Sequence, residues 1–182
     1  MIESTNSEFS PPEESDDVVV ALRTAQQHQV QLNVLADQKA NINVGFTLFF
    51  VTLTQSQLAA IDGQPVIQRA GFALLILTIA ISLLLALIVV LPRTGKLRIR
   101  DPEQMTNPFY FGMFTQLPQA EYVDYLTRLL GDNPTARRLL AADIYQIGTV
   151  LKRKYRLLRY SYGFLGLGAV IAVVLYGFRI LA

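Results

Sequence analysis

Residues 70–91, AGFALLILTIAISLLLALIVVL, decide the fold of this chain because they carry no charged side chain. A helix of this length, rising about 1.5 Å per residue, reaches roughly 33 Å and crosses a bilayer core. Residues 162–182 form a second apolar stretch of the same kind. Residues 42–61 are a weaker candidate, since only 44–53 are strongly apolar. The sequence therefore predicts an all-α membrane protein with three transmembrane helices, the first of them marginal.

A basic insertion, residues 92–161, separates the second and third spans and holds twelve of the sixteen lysines and arginines. Cytoplasmic loops collect Lys and Arg, so we expect this insertion and the N-terminus in the cytoplasm of a multi-pass plasma-membrane protein. Residues 16–41 lack Pro and Gly and predict a helix that continues into the first span. This helix and the insertion would form a cytosolic helical domain. Residues 1–15 predict a disordered acidic tail, and 62–69 an external turn.

The insertion itself predicts two helices. The first covers residues 119–130 and ends at Gly131. Asn133 and Pro134 predict the cap and first turn of the second, which nothing interrupts before the third span. Its apolar stripe follows steps of three and four residues: Leu140, Ile144, Ile147, Leu151, Tyr155 and Leu158. The aromatic segment 109–114, FYFGMF, is expected to form a short strand or a turn.

The composition argues against catalysis. The chain contains no cysteine and a single histidine, His28, which leaves little for a metal site or for histidine-based chemistry. It shows no Gly-rich phosphate loop, nucleophile elbow or metalloprotease motif. We therefore expect a protein that is not an enzyme and holds no metal or cofactor. Membrane topology accounts for the basic charge, so nucleic acid is not an expected partner.

The first and third spans leave the cytoplasm in the same direction, so their cytosolic extensions run parallel. Asp37 lies seven residues before Val44, and Tyr155 lies seven before Tyr162. Both residues are thus expected about 10 Å below the membrane entry. If the helices pack together, Asp37 and Lys39 form part of a ligand site or a gating ion pair. The alternative is a solvated helix face near the headgroups.

Other residues are candidates to bind a ligand at this level. Lys154 and Arg156 flank Tyr155 and suit an anionic phosphodiester, whereas the remaining basic residues nearby are explained by orientation and lipid contact. Phe109 and Phe111 are candidates to stack on a planar ring of a ligand, with core packing as the simpler alternative.

A polar stripe down the first helix predicts a pore lining or an oligomer contact, although packing within one subunit explains it equally well. Its members are Asn33, Asp37, Asn41, Gly45, Thr52 and Gln55–Ser56. Asn41 is therefore also a candidate gating residue. Three glycines of the last span, Gly163, Gly166 and Gly168, are expected to permit close helix packing.

Four strings together carry a family resemblance: ADQKAN at 36–41, NPFYFG at 107–112, IYQI at 144–147 and KYRLL at 154–158. Over roughly residues 18–174 the chain resembles the transmembrane effectors of bacterial Pycsar anti-phage systems. The resemblance implies a partner cyclase that makes cyclic UMP or cyclic CMP during infection. It also implies an inner-membrane effector that senses the nucleotide and impairs the membrane, giving abortive-infection defence.

On this hypothesis the nucleotide binds the cytosolic part, with Phe109 and Phe111 as candidates to stack on its pyrimidine base. Binding shifts the packing of the two membrane-entering helices and opens or disorders the first span. The partners are the cyclic pyrimidine nucleotide, the lipid bilayer and further copies of the chain in a homo-oligomer. The alternative is a constitutive membrane scaffold or assembly protein without a ligand gate.

Overall fold

The computed structural model describes residues 16–58, 63–91 and 98–181, and within these ranges the chain is helical apart from its connections. The helices are α1 (Asp16–Leu58), α2 (Val66–Val90), α3 (Phe111–Phe114), α4 (Gln119–Leu130) and α5 (Asn133–Leu181), with a 3-10 helix at Pro102–Gln104. The all-α fold class is confirmed for this part of the chain. The expected acidic tail, residues 1–15, and the side chain of Ser56 lie outside the described residues.

The two long helices are continuous. α1 spans 43 residues and α5 spans 49, so neither breaks between its polar and apolar parts. The cap of α5 lies one residue earlier than expected. Asp132, rather than Asn133, accepts hydrogen bonds at Oδ2 from the backbone N–H of Thr135 at 3.2 Å and from its hydroxyl at 2.5 Å. The backbone N–H of Thr135 lies three positions after Asp132, which is the spacing of an N-cap hydrogen bond.

The aromatic segment 109–114 forms a turn followed by α3, and no strand is present among the described residues. The strand expectation was therefore wrong. Asn107 Oδ1 accepts a hydrogen bond from the backbone N–H of Phe109 at 2.9 Å, which fixes a turn before the helix begins. Phe114 then stacks on Tyr122 of α4, with ring centroids 4.8 Å apart, so these aromatic rings serve packing.

The described chain divides into two compact units. The loop unit comprises residues 16–28 and 98–145, and the bundle unit comprises 29–58, 63–91 and 146–181.

Three helices pack along heptad-spaced rows in the bundle unit. The buried or half-buried positions alternate between steps of three and four on each helix, the spacing of left-handed coiled coils. On α1 the row is Gln29, Asn33, Ala36, Ala40, Asn43, Thr47, Phe50 and Thr54. On α2 it is Gln68, Phe72, Leu75, Ile79, Ser82, Ala86 and Val89, and on α5 Ile147, Leu151, Lys154, Leu158, Ser161, Leu165, Gly168, Ala172 and Leu175.

α5 runs parallel to α1 and antiparallel to α2. The hydroxyl of Tyr162 donates to the carbonyl of Lys39 at 2.8 Å, and that of Tyr176 donates to the carbonyl of Leu53 at 3.0 Å. Only one of the three expected glycines permits a close approach here. A side chain at Gly168 would lie 3.0 Å from Thr78 Oγ1, whereas Gly163 and Gly166 face open space.

Two helices of the described chain are long and apolar enough to cross a membrane. They are α2, whose most apolar 18-residue window has a mean hydropathy of 3.2, and α5 over Asn133–Gly177, whose most apolar window has 1.6. α1 does not reach this measure, because it carries polar side chains on its buried row, such as Asn43, and on its exposed side, such as Asn41 and Gln55.

Candidate functional site

An ion pair joins α1 and α5 at the level expected from the sequence. Lys154 Nζ lies 2.7 Å from Asp37 Oδ1, and the two side chains are 19% and 40% exposed. Lys154 occupies the packed row of α5, so its ammonium group is held between the helices rather than extended into solvent. The matched height of these two residues is therefore confirmed, while their role in ligand binding stays a prediction.

A second contact lies beside this ion pair. Lys39 Nζ sits 5.3 Å from the centre of the Tyr155 ring, a cation–π distance. Residues two apart on a helix point in different directions, so Asp37 and Lys39 have different partners. We call Asp37, Lys39, Lys154 and Tyr155 the entry cluster. It places two ammonium groups, a carboxylate and an aromatic face next to one another.

Two buried side-chain oxygens that can accept hydrogen bonds lie on the packed row of α1. Asn33 carries one of them about one turn before Asp37, and Gln29 carries the other about two turns before it. Gln29 Oε1 and Asn33 Oδ1 are shielded from solvent and accept no hydrogen bond from the described residues. Gly148 of α5 faces the first of them, and a side chain there would lie 3.3 Å from Gln29 Oε1. Buried oxygens without donors favour a ligand or water that carries N–H or O–H groups.

The polar stripe expected along α1 divides between two faces. Asn33 and Asp37 turn towards α5, whereas Asn41, Gly45, Thr52 and Gln55 are exposed. The expectation of one continuous stripe was therefore wrong. Steps of four residues drift around an α-helix, while the packed row follows alternating steps of three and four. Arg156 is also exposed on α5, outside the entry cluster.

A polar layer that the sequence analysis missed connects all three bundle helices. The single hydroxyl hydrogen of Ser82 of α2 is shared between two acceptors, Asn43 Oδ1 of α1 at 3.1 Å and the carbonyl of Ser161 of α5 at 2.9 Å. Ser161 donates back to the carbonyl of Ser82 at 2.7 Å. All three residues are 0% exposed, and Asn43 Nδ2 has no hydrogen-bond partner among the described residues. The spacing of these residues on heptad rows was the available signal.

The loop unit holds a buried carboxylate, also missed. Asp143 is 6% exposed and accepts a hydrogen bond from Asn107 Nδ2 at 2.6 Å and another from Gln26 Nε2. Asn107 in turn fixes the turn at Phe109, so Asp143 anchors the aromatic segment to α5. An acidic residue between Leu140 and Ile144 of an apolar stripe was the signal in the sequence.

The two aromatic candidates differ in exposure. Phe109 is half-buried, whereas Phe111 is 59% exposed, with its ring centroid 5.1 Å from that of Tyr110. Nearby, burial raises the pKa of Tyr125 above its ordinary value, and the carboxylates of Glu103 and Asp101 add to this effect. The Tyr125 phenol therefore stays protonated at neutral pH.

Replacing Asp143 with asparagine is expected to lower the free energy of unfolding by about 1–3 kcal/mol. An asparagine presents one acceptor oxygen where Asp143 presents two, so one of the two amide donors loses its partner in a buried place. Thermal unfolding of the detergent-solubilised chain measures the effect. Asp124→Asn, at an exposed position of α4, is the matched control and should unfold as the wild type does. Equal stability of the two variants would contradict an anchoring role for Asp143.

The helices and contacts described above define a small all-α protein whose two apolar helices point to membrane association. Residues 20–180 match the Pycsar effector protein domain, and the chain belongs to this family. The family suggested by the sequence strings is thereby confirmed. Membership makes the chain an effector of anti-phage defence in a system whose cyclase produces cyclic pyrimidines. No curated protein and no solved structure matches the chain.

Proposed function

We propose that this protein is an inner-membrane effector that senses cyclic UMP or cyclic CMP and then impairs the membrane, which gives abortive-infection defence. It acts by binding rather than by catalysis and needs no metal or cofactor. The observation that carries the proposal is the half-buried Asp37–Lys154 ion pair, in a chain that belongs to the Pycsar effector family. Because the Lys154 ammonium is already paired with the Asp37 carboxylate, an incoming anion competes for it and so changes the contact between α1 and α5.

Packing in the bundle unit supports a three-span arrangement. Phe50 of α1 packs on the cluster formed by Phe72, Leu75, Ile79 and Ala172 of the two apolar helices. The carbonyl of Leu53 accepts its hydrogen bond from Tyr176, near the far end of α5. If α2 and α5 cross the bilayer, this part of α1 lies at the same depth. Its polar row then faces protein, as polar groups in membranes do.

The entry cluster supports a mechanism of ion exchange. The phosphodiester of a cyclic nucleotide carries one negative charge, which competes with Asp37 for the Lys154 ammonium. Gln29 Oε1 and Asn33 Oδ1, which lack donors among the described residues, are the acceptors for the base, which donates from the amino group in cytosine and from N3–H in uracil. Such binding shifts the bundle only if the nucleotide prefers a packing that differs from the resting one. Separation of Asp37 from Lys154 supplies that difference.

The remaining candidates keep narrower roles in the proposal. Within the loop unit, exposed Phe111 is the candidate for stacking on an aromatic ring, and half-buried Phe109 supports the turn that presents it. Arg156 and Asn41 are exposed at the level of the entry cluster. Arg156 adds positive charge that attracts an anion before it reaches Lys154.

The test is to express the protein with a uridylate or cytidylate cyclase and to follow the membrane potential with a voltage-sensitive dye. We expect depolarisation only when the cyclase is active, and loss of this response in Lys154→Met. Lys152→Met removes an equally charged but exposed side chain of the same helix and should respond normally. An unchanged potential while the nucleotide accumulates would overturn the proposal and favour the constitutive scaffold.

A further inference from the structure

α1 has two exposed faces of different chemistry at the level of the apolar helices. One face is apolar and aromatic: Ile42, Phe46, Phe49 and Leu53 are between 46% and 58% exposed. Ile42, Phe46 and Phe49 line a shallow apolar depression together with Gly45. Acyl chains satisfy such a surface without any protein partner.

The other exposed face is an uncharged polar row. It consists of Gln31, Val34, Gln38, Asn41, Gly45, Leu48, Thr52 and Gln55, which alternate between steps of three and four and lie on the open side of α1. At the heptad angle this row lies roughly opposite the row of α1 that packs on α2 and α5. We call it the uncharged row. This spacing is the one that a second coiled-coil contact would have, and its residues are exposed in the described chain.

The composition of the uncharged row is unusual for a surface in contact with water or lipid. It carries four amide side chains and no charge, and Val34 and Leu48 are 52% and 53% exposed. Exposed faces of helices in water normally carry charges, whereas contact surfaces are depleted of them. In the proposed three-span placement, on which this step rests, Thr52 and Gln55 would otherwise face acyl chains.

We infer that the uncharged row is the surface through which two or more copies of this chain associate, α1 against α1. Copies inserted in one membrane share their orientation, so the helices meet in parallel and each residue of the row faces its own counterpart. Like charges would repel there, whereas Asn and Gln carry both donors and acceptors and pair with themselves. Gly45 has open space around its Cα, which allows the two backbones to approach.

Single-cysteine cross-linking in native membranes tests this contact, and the chain contains no cysteine of its own. Two pairs of variants compare exposed positions on the same helix: Leu48→Cys with Phe46→Cys, and Val34→Cys with Leu32→Cys. With copper phenanthroline as oxidant, we expect disulfide-linked dimers of the full chain from Leu48→Cys and Val34→Cys. The two off-row variants should give only the background of random collision.

Equal dimer yields at the on-row and off-row positions would overturn the inference, as would adducts with other proteins in place of dimers. A second variant extends the test to the amide side chains. Asn41→Leu with Gln55→Leu should weaken association by about three- to tenfold per amide pair, measured by energy transfer between labelled copies diluted with lipid. Neither experiment involves a nucleotide or a potential, so failure here leaves the proposed gating intact, and failure of gating leaves the contact intact.

Discussion

The double variant D37K/K154D is expected to keep the bundle folded and to lose its response to the cyclic nucleotide. Exchanging the two residues preserves an ion pair between α1 and α5 but places the cation on the other helix, at the side chain that is 40% exposed. The phosphodiester would then meet a carboxylate on the packed row of α5, where the wild type has Lys154. The negative phosphodiester and this carboxylate repel each other, so the nucleotide binds poorly there and no longer separates the helices.

The single variants supply the reference for this comparison. Asp37→Lys places two ammonium groups together, and Lys154→Asp places two carboxylates together. Each should destabilise the bundle by about 1–2 kcal/mol, a value that allows for the partial exposure of the pair. Thermal unfolding in detergent should show both singles below the double variant, which should approach wild type. A double variant that still depolarises the membrane on nucleotide production would show that the pair is structural only.

Asn43→Val is expected to hold the protein in its resting state, so that more nucleotide is needed for the same depolarisation. In the resting bundle Asn43 Nδ2 is buried without a partner among the described residues, which costs about 1–3 kcal/mol. Valine removes this cost, whereas Ser82 keeps its hydrogen bond to the carbonyl of Ser161. In a packing that admits water to the layer, Asn43 would gain partners that valine cannot. The substitution therefore favours the resting packing.

The matched control is Thr47→Val, one turn further along the same buried row. The Thr47 hydroxyl donates to the carbonyl of Asn43 within α1 at 2.8 Å, so its loss removes a bond inside one helix rather than between helices. Titrating cyclase expression while recording the potential should shift the midpoint for Asn43→Val by about tenfold, the equivalent of 1.4 kcal/mol. Thr47→Val should shift it little. A lower threshold in Asn43→Val would contradict the role assigned to the layer.

Apolar periodicity and the absence of helix breakers were enough to predict α4 at residues 119–130 and the uninterrupted course of α5. Counting helical rise also placed Asp37 at the level of Tyr155, next to Lys154 in the chain. The packed face of α1 could not be read in the same way, because its row mixes Ala, Asn, Thr and Phe and has little contrast in hydropathy. Only the positions of α2 and α5 show that Asn43 is inside and Asn41 outside.

The hydrogen-bond partners of the buried polar side chains were the other feature that could not be predicted from the sequence. Asp143 is an acidic residue in an apolar stripe, and sequence spacing gives no means of finding Asn107, which lies 36 positions away in the chain. Ser82 and Ser161 are likewise ordinary small polar residues of apolar spans until the antiparallel register of α2 and α5 brings them together. Such pairings depend on tertiary register, which local patterns do not specify.

The unbroken course of α5 restricts how a signal can travel through the protein. A helix of 49 residues is about 74 Å long, and beyond Pro134 it contains no proline at which it would bend. A shift of the backbone at Lys154 is therefore not absorbed at a proline kink. Such a shift turns or slides the apolar part of the same helix, because consecutive heptad layers share one hydrogen-bonded backbone. In the proposed mechanism, nucleotide binding would therefore reach the membrane part as a rotation or an axial shift of α5.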